Sequence, residues 1–239
     1  MHPTRFARVA VAIVLAFVSS GCGEEPPAGP VGDADSGHAA PTARTARANA
    51  AVLDALPFED ERDFAAARRG FLAAREDPVI RTADGAEVWN TAAFDFVEGD
   101  APPSVNPSLW RQARLNGMHG LYEVTDGIYQ VRGYDLANMT FVSGDTGWIV
   151  IDPGTTIETG RAALELVNRH LGPRPVTGLV YTHSHIDHFG GARGVLPEPE
   201  GVPVIAPEGF VVEAVSENVL AGTAMSRRAS YMFGFLLHR

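Results

Sequence analysis

Residues 176–191 read VTGLVYTHSHIDHFGG, and this stretch decides the fold. Residues 176–181 are an apolar, partly β-branched run that predicts a strand. Directly at its end come His183, His185, Asp187 and His188, with three of the chain's eight histidines inside six positions. Side chains alternate in an extended segment, so His183 and His185, two residues apart, share a side and can converge on one ion. Beyond them the chain turns, and Asp187 and His188 can project toward a second ion, the two ions of hydrolytic pairs typically lying about 3.5–4 Å apart. Imidazole nitrogen with carboxylate oxygen, and no thiolate, suits zinc or another borderline divalent metal, with iron and manganese also open. Gly190 and Gly191 leave the backbone room to turn near the metal without a Cβ in the way. A lone HxH is most often an exposed loop with accidental spacing, but HxHxDH between an apolar strand and Gly-Gly has the order that metal chemistry requires.

The pattern on either side predicts an α/β fold. Residues 127–133, 139–143 and 148–151 read as three strands, the last two joined by a tight turn at Gly144-Asp145-Thr146-Gly147. The third ends at Asp152-Pro153-Gly154. Asp152 is therefore a candidate to orient a metal-bound histidine through a hydrogen bond, the alternative being a turn cap. A helix over 158–170 follows, with Leu164, Val167 and Leu171 as its core-facing stripe and Gly172-Pro173 as its stop. After the histidine loop, 202–206 reads as a buried strand and 210–220 as a helix. Upstream, residues 46–56 and 59–75 read as helices, the second with Phe64, Phe71 and Leu72 on one stripe. Residues 79–96 hold short strands broken at Asp84-Gly85, and 107–116 a short helix. Strands alternating with helices, and histidines on a loop at a strand end, fit a layered α/β architecture.

The N-terminus is of another kind. Arg5 and Arg8 precede an apolar run over 9–18, then Ser19, Ser20, Gly21 and Cys22, the single cysteine. Residues 1–22 thus predict an export signal, best read as a lipoprotein type in which Cys22 carries the lipid. An ordinary secreted signal and a retained anchor are the other readings, the run being short for a membrane span. The predicted location is periplasmic or membrane-anchored, with secretion as the alternative. Residues 23–45, rich in Pro, Gly, Ala and acidic groups, predict a flexible tether, 46–118 a helical and irregular extension, and 119–239 the main domain. One cysteine excludes an internal disulfide framework and a Cys-based zinc knuckle. A formal net charge of −10, from 19 basic and 29 acidic residues, argues against nucleic acid as a partner but not against a small anion held by metal ions.

THSHIDHFGG resembles the HxHxDH signature of the metallo-β-lactamase superfamily, which implies an αββα sandwich, incomplete in this chain, and two zinc ions. That signature is specific for fold and metal and weak for substrate. The segments around it, EVTDGIYQVRGYDLANMTFVSGDTGWIVIDP from Glu123 and IAPEGFVVEAVSENVLAGTAMSRRASYMFG from Ile205, are similar to the linear alkyl sulfatases, as are PFEDERDFAAARRGF and the segment around PSLWRQARLNGMHG. The resemblance implies hydrolysis of alkyl sulfates such as dodecyl sulfate and a homodimer at full length. It assigns His183 and His185 to one zinc and Asp187 with His188 to the other, Asp187 also orienting the activated water. Gly154 departs from the larger residue expected after Asp-Pro in many members, though it fits the superfamily's Asp-x-Gly pattern. Members of the family supply further glutamate and histidine ligands downstream, so these four groups are expected to close neither site alone. Another hydrolase of the same fold, acting on lactams, thioesters or phosphodiesters, and a non-catalytic metal-binding fragment are the competing readings.

Overall fold

The computed structural model describes residues 39–199 and 201–233. The expected export signal and Cys22 lie outside the described residues, as does most of the expected tether. The chain divides into two units at Ala40, and every element below belongs to the second.

The sheet grows from the three strands expected over 127–133, 139–143 and 148–151, preceded by a fourth that the pattern did not mark. β4 (Gly120–Thr125), β5 (Ile128–Arg132), β6 (Met139–Ser143) and β7 (Trp148–Ile151) form an antiparallel meander. The chain then crosses over through α4 (Ile157–Leu171) to β8 (Val176–Val180), which lies parallel to β7. A two-residue edge strand, β9 (Val204–Ile205), continues the parallel pairing. One face of this mixed sheet is the core. Leu121, Val131, Met139, Phe141, Trp148, Val150 and Leu179 are buried there with Ala162, Ala163, Leu166 and Val167 of α4. Trp148 anchors this core. Its indole lies edge-on to Tyr129 and Phe141, at 5.9 and 6.4 Å between centroids, and its Nε1–H donates to Asn168 Oδ1 of α4 at 2.9 Å. α4 starts where its sequence allows. Thr156 caps it, accepting from Thr159 N in a reciprocal capping box, and Glu158 sits in the first turn with Arg169 and His170 in the last, as the helix dipole favours. The buried stripe runs through residues 159, 162, 163, 166 and 167, while Leu164 and Leu171 pack half-buried at its margin.

Several boundaries differ from the sequence pattern, each for a tertiary reason. α1 (Ala43–Ala55) begins slightly inside the expected tether. The expected helix over 59–75 stops early: α2 (Arg62–Arg68) buries Phe64, but Phe71 and Leu72 belong to β1 (Phe71–Ala73) and are largely exposed. Pairing with β4 overrides the helical stripe there, Glu123 N donating to Gly70 O at 2.7 Å. The extension is thus not separate from the main domain, because β1 is an edge strand of a seven-stranded sheet in the order β1-β4-β5-β6-β7-β8-β9. β2 (Val79–Arg81) and β3 (Glu87–Asn90) are the short strands expected on either side of Asp84-Gly85 and pair as a hairpin, and α3 (Pro107–Asn116) is the expected short helix. Arg111 of α3 ties the extension together: it pairs with Asp63 at 2.6 Å and lies over the Phe64 ring at 4.7 Å. The strand expected to be buried over 202–206 is instead an exposed edge. After the short helix α5 (Ala192–Val195), the helix expected over 210–220 is α6 (Phe210–Val215) followed by a π-helical segment, Ser216–Leu220, before α7 (Gly222–Met232). The architecture is an α/β sandwich with a mixed sheet and flanking helices, a partial form of the expected αββα arrangement. Among the described residues no helix is long and apolar enough to cross a membrane.

Leu166 is 1% exposed in the contact between α4 and the sheet, whereas Leu109 of α3 is 63% exposed. Leu166→Ala is expected to lower unfolding free energy by about 2–5 kcal/mol and Leu109→Ala by under about 0.5 kcal/mol in urea titrations. Equal losses would contradict this placement of the core.

Candidate metal centre

Adjacent parallel strands β7 and β8 release their chains at the same edge, Asp152 N donating to Val180 O at 3.0 Å. Loops beyond the C-terminal ends of parallel strands are where α/β sheets present binding groups. Asp152 leaves β7 with a left-handed backbone, φ 55°, alone in this among the described non-glycine residues. Such a conformation costs roughly 1–3 kcal/mol and is tolerated best by Asp and Asn. It aims a carboxylate that is 8% exposed at the neighbouring loop. There Asp152 Oδ1 accepts from Thr182 N at 2.8 Å, and Oδ2 accepts from the Thr182 hydroxyl at 2.6 Å and lies 2.9 Å from His188 Nδ1.

These bonds decide which ring nitrogens face inward. A carboxylate can only accept, so His188 donates Nδ1–H and keeps its Nε2 lone pair free. The single proton of the Thr182 hydroxyl goes to Asp152. Its oxygen, 3.0 Å from His183 Nδ1, therefore accepts from that ring, leaving His183 Nε2 free as well. His183 Nε2 lies 3.0 Å from His185 Nδ1, and His188 Nε2 lies 3.3 Å from Asp187 Oδ2. The rings of His183 and His188 are themselves 3.9 Å apart between centroids. The structure thus gathers all four residues of the HxHxDH loop into two close donor pairs, with Asp152 behind one of them.

The loop is held as tightly as its donors. Gly191 N donates to Gly154 O at 2.8 Å, and a Cβ on Gly190 or Gly191 would lie 2.1 Å from Thr155 O or 2.2 Å from Pro153 O. The glycine pair therefore serves close contact with the backbone after β7 rather than a turn at the metal. Asp135, which the sequence reading did not single out, supports the same backbone from below. It is 6% exposed and accepts from Thr155 N at 2.8 Å and from the hydroxyls of Thr155 and Thr159, both at 2.5 Å, at the N-terminus of α4. Gly154 has φ 85°, and a Cβ there would meet Asp135 Oδ2 at 2.9 Å, so this packing requires glycine. Tyr181, Phe189 and Phe210 close the far side, Phe210 lying 5.3 Å from Tyr181 and 5.2 Å from Phe189 between centroids. Burial pushes the Tyr181 phenol up, so it stays neutral there. His119 and His170 stay outside the cluster, His119 Nδ1 lying 3.1 Å from Gly117 O and His170 in the last turn of α4.

The chemistry of the donor set fits a divalent cation of zinc type: imidazoles and carboxylates, with nitrogens separated nearly as two nitrogen ligands of one tetrahedral zinc would be, about 3.3 Å. Two donors do not close a tetrahedral shell. Among the described residues no three or more His, Cys, Asp or Glu side chains converge in a way that could hold an ion.

Residues 132–216 match the family model of the metallo-β-lactamase superfamily. Over 203 residues, 83% of this chain, it is 51% identical to the (R)-specific secondary-alkylsulfatase of a Pseudomonas species, and it is 50% identical over 202 residues to a linear primary-alkylsulfatase of a Pseudomonas species. The alkyl/aryl-sulfatase BDS1 of Saccharomyces cerevisiae is 47% identical over 198 residues. The chain belongs to the alkyl-sulfatase branch of the metallo-β-lactamase superfamily. The solved structure of the sec-alkylsulfatase Pisa1 from a Pseudomonas species superposes with a TM-score of 0.75 at 52% identity, covering 80% of this chain and 31% of that one. The chain spans about 30% of the length of the curated relatives it matches.

Asp152→Ala removes the acceptor that fixes His188 and Thr182. Affinity for zinc, measured by chelator competition, is expected to fall about 10–100-fold with secondary structure retained. Unchanged affinity would contradict the role given to Asp152.

Proposed function

We propose that this chain carries the metal-binding part of a zinc-dependent hydrolase that cleaves sulfate esters of linear alkyl alcohols. Identity at about half of the 203 and 202 residues aligned with two alkylsulfatases, running far beyond the histidine loop, carries this reading. His183 and His185 would hold one ion and Asp187 with His188 a second. The remaining ligands would come from the part of such a protein that this chain does not match. Bound divalent ions supply a water of lowered pKa and positive charge for the sulfate oxygens.

The chain's own residues prepare that chemistry. Thr182 and Asp152 keep His183 Nε2 and His188 Nε2 unprotonated and aimed, so no ring has to turn when an ion is taken up. A groove of about 570 Å³ runs from His185 and Asp187 along Leu136, Met225, Met232 and Phe233. Its apolar wall suits an alkyl tail, each buried CH₂ contributing about 0.8 kcal/mol. Arg228 lines the same groove and adds a positive charge to it in a chain that is acidic overall, which favours a sulfate head. Export with lipidation at Cys22 and a homodimer at full length belong to the same proposal and rest on the sequence pattern and the family resemblance.

The full-length protein with saturating zinc is expected to release sulfate from dodecyl sulfate, as read by ion chromatography, and His183→Ala to abolish the release. Release no faster than that of His183→Ala, or preferential turnover of a lactam, thioester or phosphodiester, would overturn the assignment.

A further inference from the structure

Two of the three loop imidazoles are held from behind by an oxygen of known role. The third, His185, is the most exposed of the donors, its side chain 57% accessible, and its outer nitrogen faces a residue 32 positions away in sequence. Its Nε2 lies 3.3 Å from Glu217 Oε1, and among the described residues Glu217 makes its ion pair with this ring. We infer that Glu217 is the positioning residue of His185, taking its Nε2–H and so turning its Nδ1 lone pair toward His183 Nε2.

A neutral His185 has one ring proton and two neighbours that could receive it. If Nδ1 held the proton it would bond His183 Nε2, 3.0 Å away, and close the pair against an ion. Its Nε2 lone pair would then face a carboxylate. If Nε2 holds the proton, that proton faces the Glu217 carboxylate across 3.3 Å, and a carboxylate is a better acceptor than a neutral ring nitrogen. Two lone pairs then face each other at 3.0 Å, an arrangement that repels unless a cation lies between them. Glu217 thereby converts a self-satisfied histidine pair into a two-nitrogen ligand.

The fold around Glu217 fits such a task. It lies in the π-helical segment Ser216–Leu220, where Ala221 N reaches back to Ser216 O at 2.9 Å, and single π-turns inside helical stretches recur at functional sites. Phe210, opening the helix that leads to it, is held between Tyr181 before the loop and Phe189 after it. Both ends of the His185–Glu217 contact are thus fastened to one aromatic cluster. The Glu217 side chain is 24% exposed, so its carboxylate meets the ring from the more sheltered side of the contact.

This inference rests on the reading of His183 and His185 as ligands of one ion. The test uses the full-length protein as wild type, Glu217→Ala, Glu217→Gln and His183→Ala. Zinc affinity is measured by chelator competition, and the exchangeable imidazole proton of His185 is followed by proton NMR of the cobalt(II)-loaded protein. Glu217→Ala is expected to weaken affinity about 10-fold or more and to lose the slowly exchanging His185 Nε2–H signal, with partial recovery of both in Glu217→Gln, whose amide oxygen still accepts. The melting temperature of the metal-free protein is expected to stay unchanged. Wild-type affinity together with a retained signal in Glu217→Ala would overturn the role of Glu217 alone. If the wild type held zinc no better than His183→Ala, the metal reading would fall and this inference with it.

Discussion

The carboxylate of Asp152 joins the two halves of the site. It closes β7, it is buried, and its three acceptor contacts reach the amide and hydroxyl of Thr182 and the Nδ1 of His188. Those contacts hold the histidine loop against the sheet and set the protonation of one ring directly and of another through Thr182. A strained backbone at one residue supports this, and the surrounding bonds offset its cost: among the described residues no buried side-chain nitrogen or oxygen lacks a partner. Without Asp152 the loop would keep its composition but not the direction of its lone pairs.

Supports of different chemistry hold that carboxylate in place. Asp135 bonds the start of α4, so the backbone between Asp152 and the helix is fixed at both ends. The glycines at 190 and 191 let the returning loop lie directly on that backbone. The sheet beneath is rigid because Trp148, Phe141 and Leu166 fill the space between it and α4. Precision at the nitrogens is therefore a property of the whole β7–α4–β8 unit, as metal sites require of the groups that orient their ligands.

What was legible in the sequence was whatever is local. The HxHxDH spacing, the strands β5 to β7, the helix α4 and the break at Asp84-Gly85 all depend on neighbours in the chain. Asp152 was legible because it ends a strand. Contacts closed by tertiary packing were not. Phe71 and Leu72 carry a helical spacing that lost to the pairing of β1 with Leu121 and Tyr122 of β4, and the apolar residues of β9 suggest burial although they sit on an edge. Asp135 and Glu217 had no motif to announce them, lying 50 residues before and 32 after His185. Glu217 reaches the ring through an aromatic cluster and a π-turn that no period in the sequence encodes.

In the proposed metal centre, oxygen acceptors behind the rings would predetermine which nitrogens bind the ions. Anomalous diffraction at the zinc edge, from crystals of the zinc-loaded full-length protein, tests it most directly. One ion is expected at about 2.0–2.1 Å from His183 Nε2 and another at that distance from His188 Nε2, with both Asp152 and Thr182 still bonded to the opposite ring atoms. Zinc bound through the Nδ1 of either ring, or located away from this loop, would contradict it.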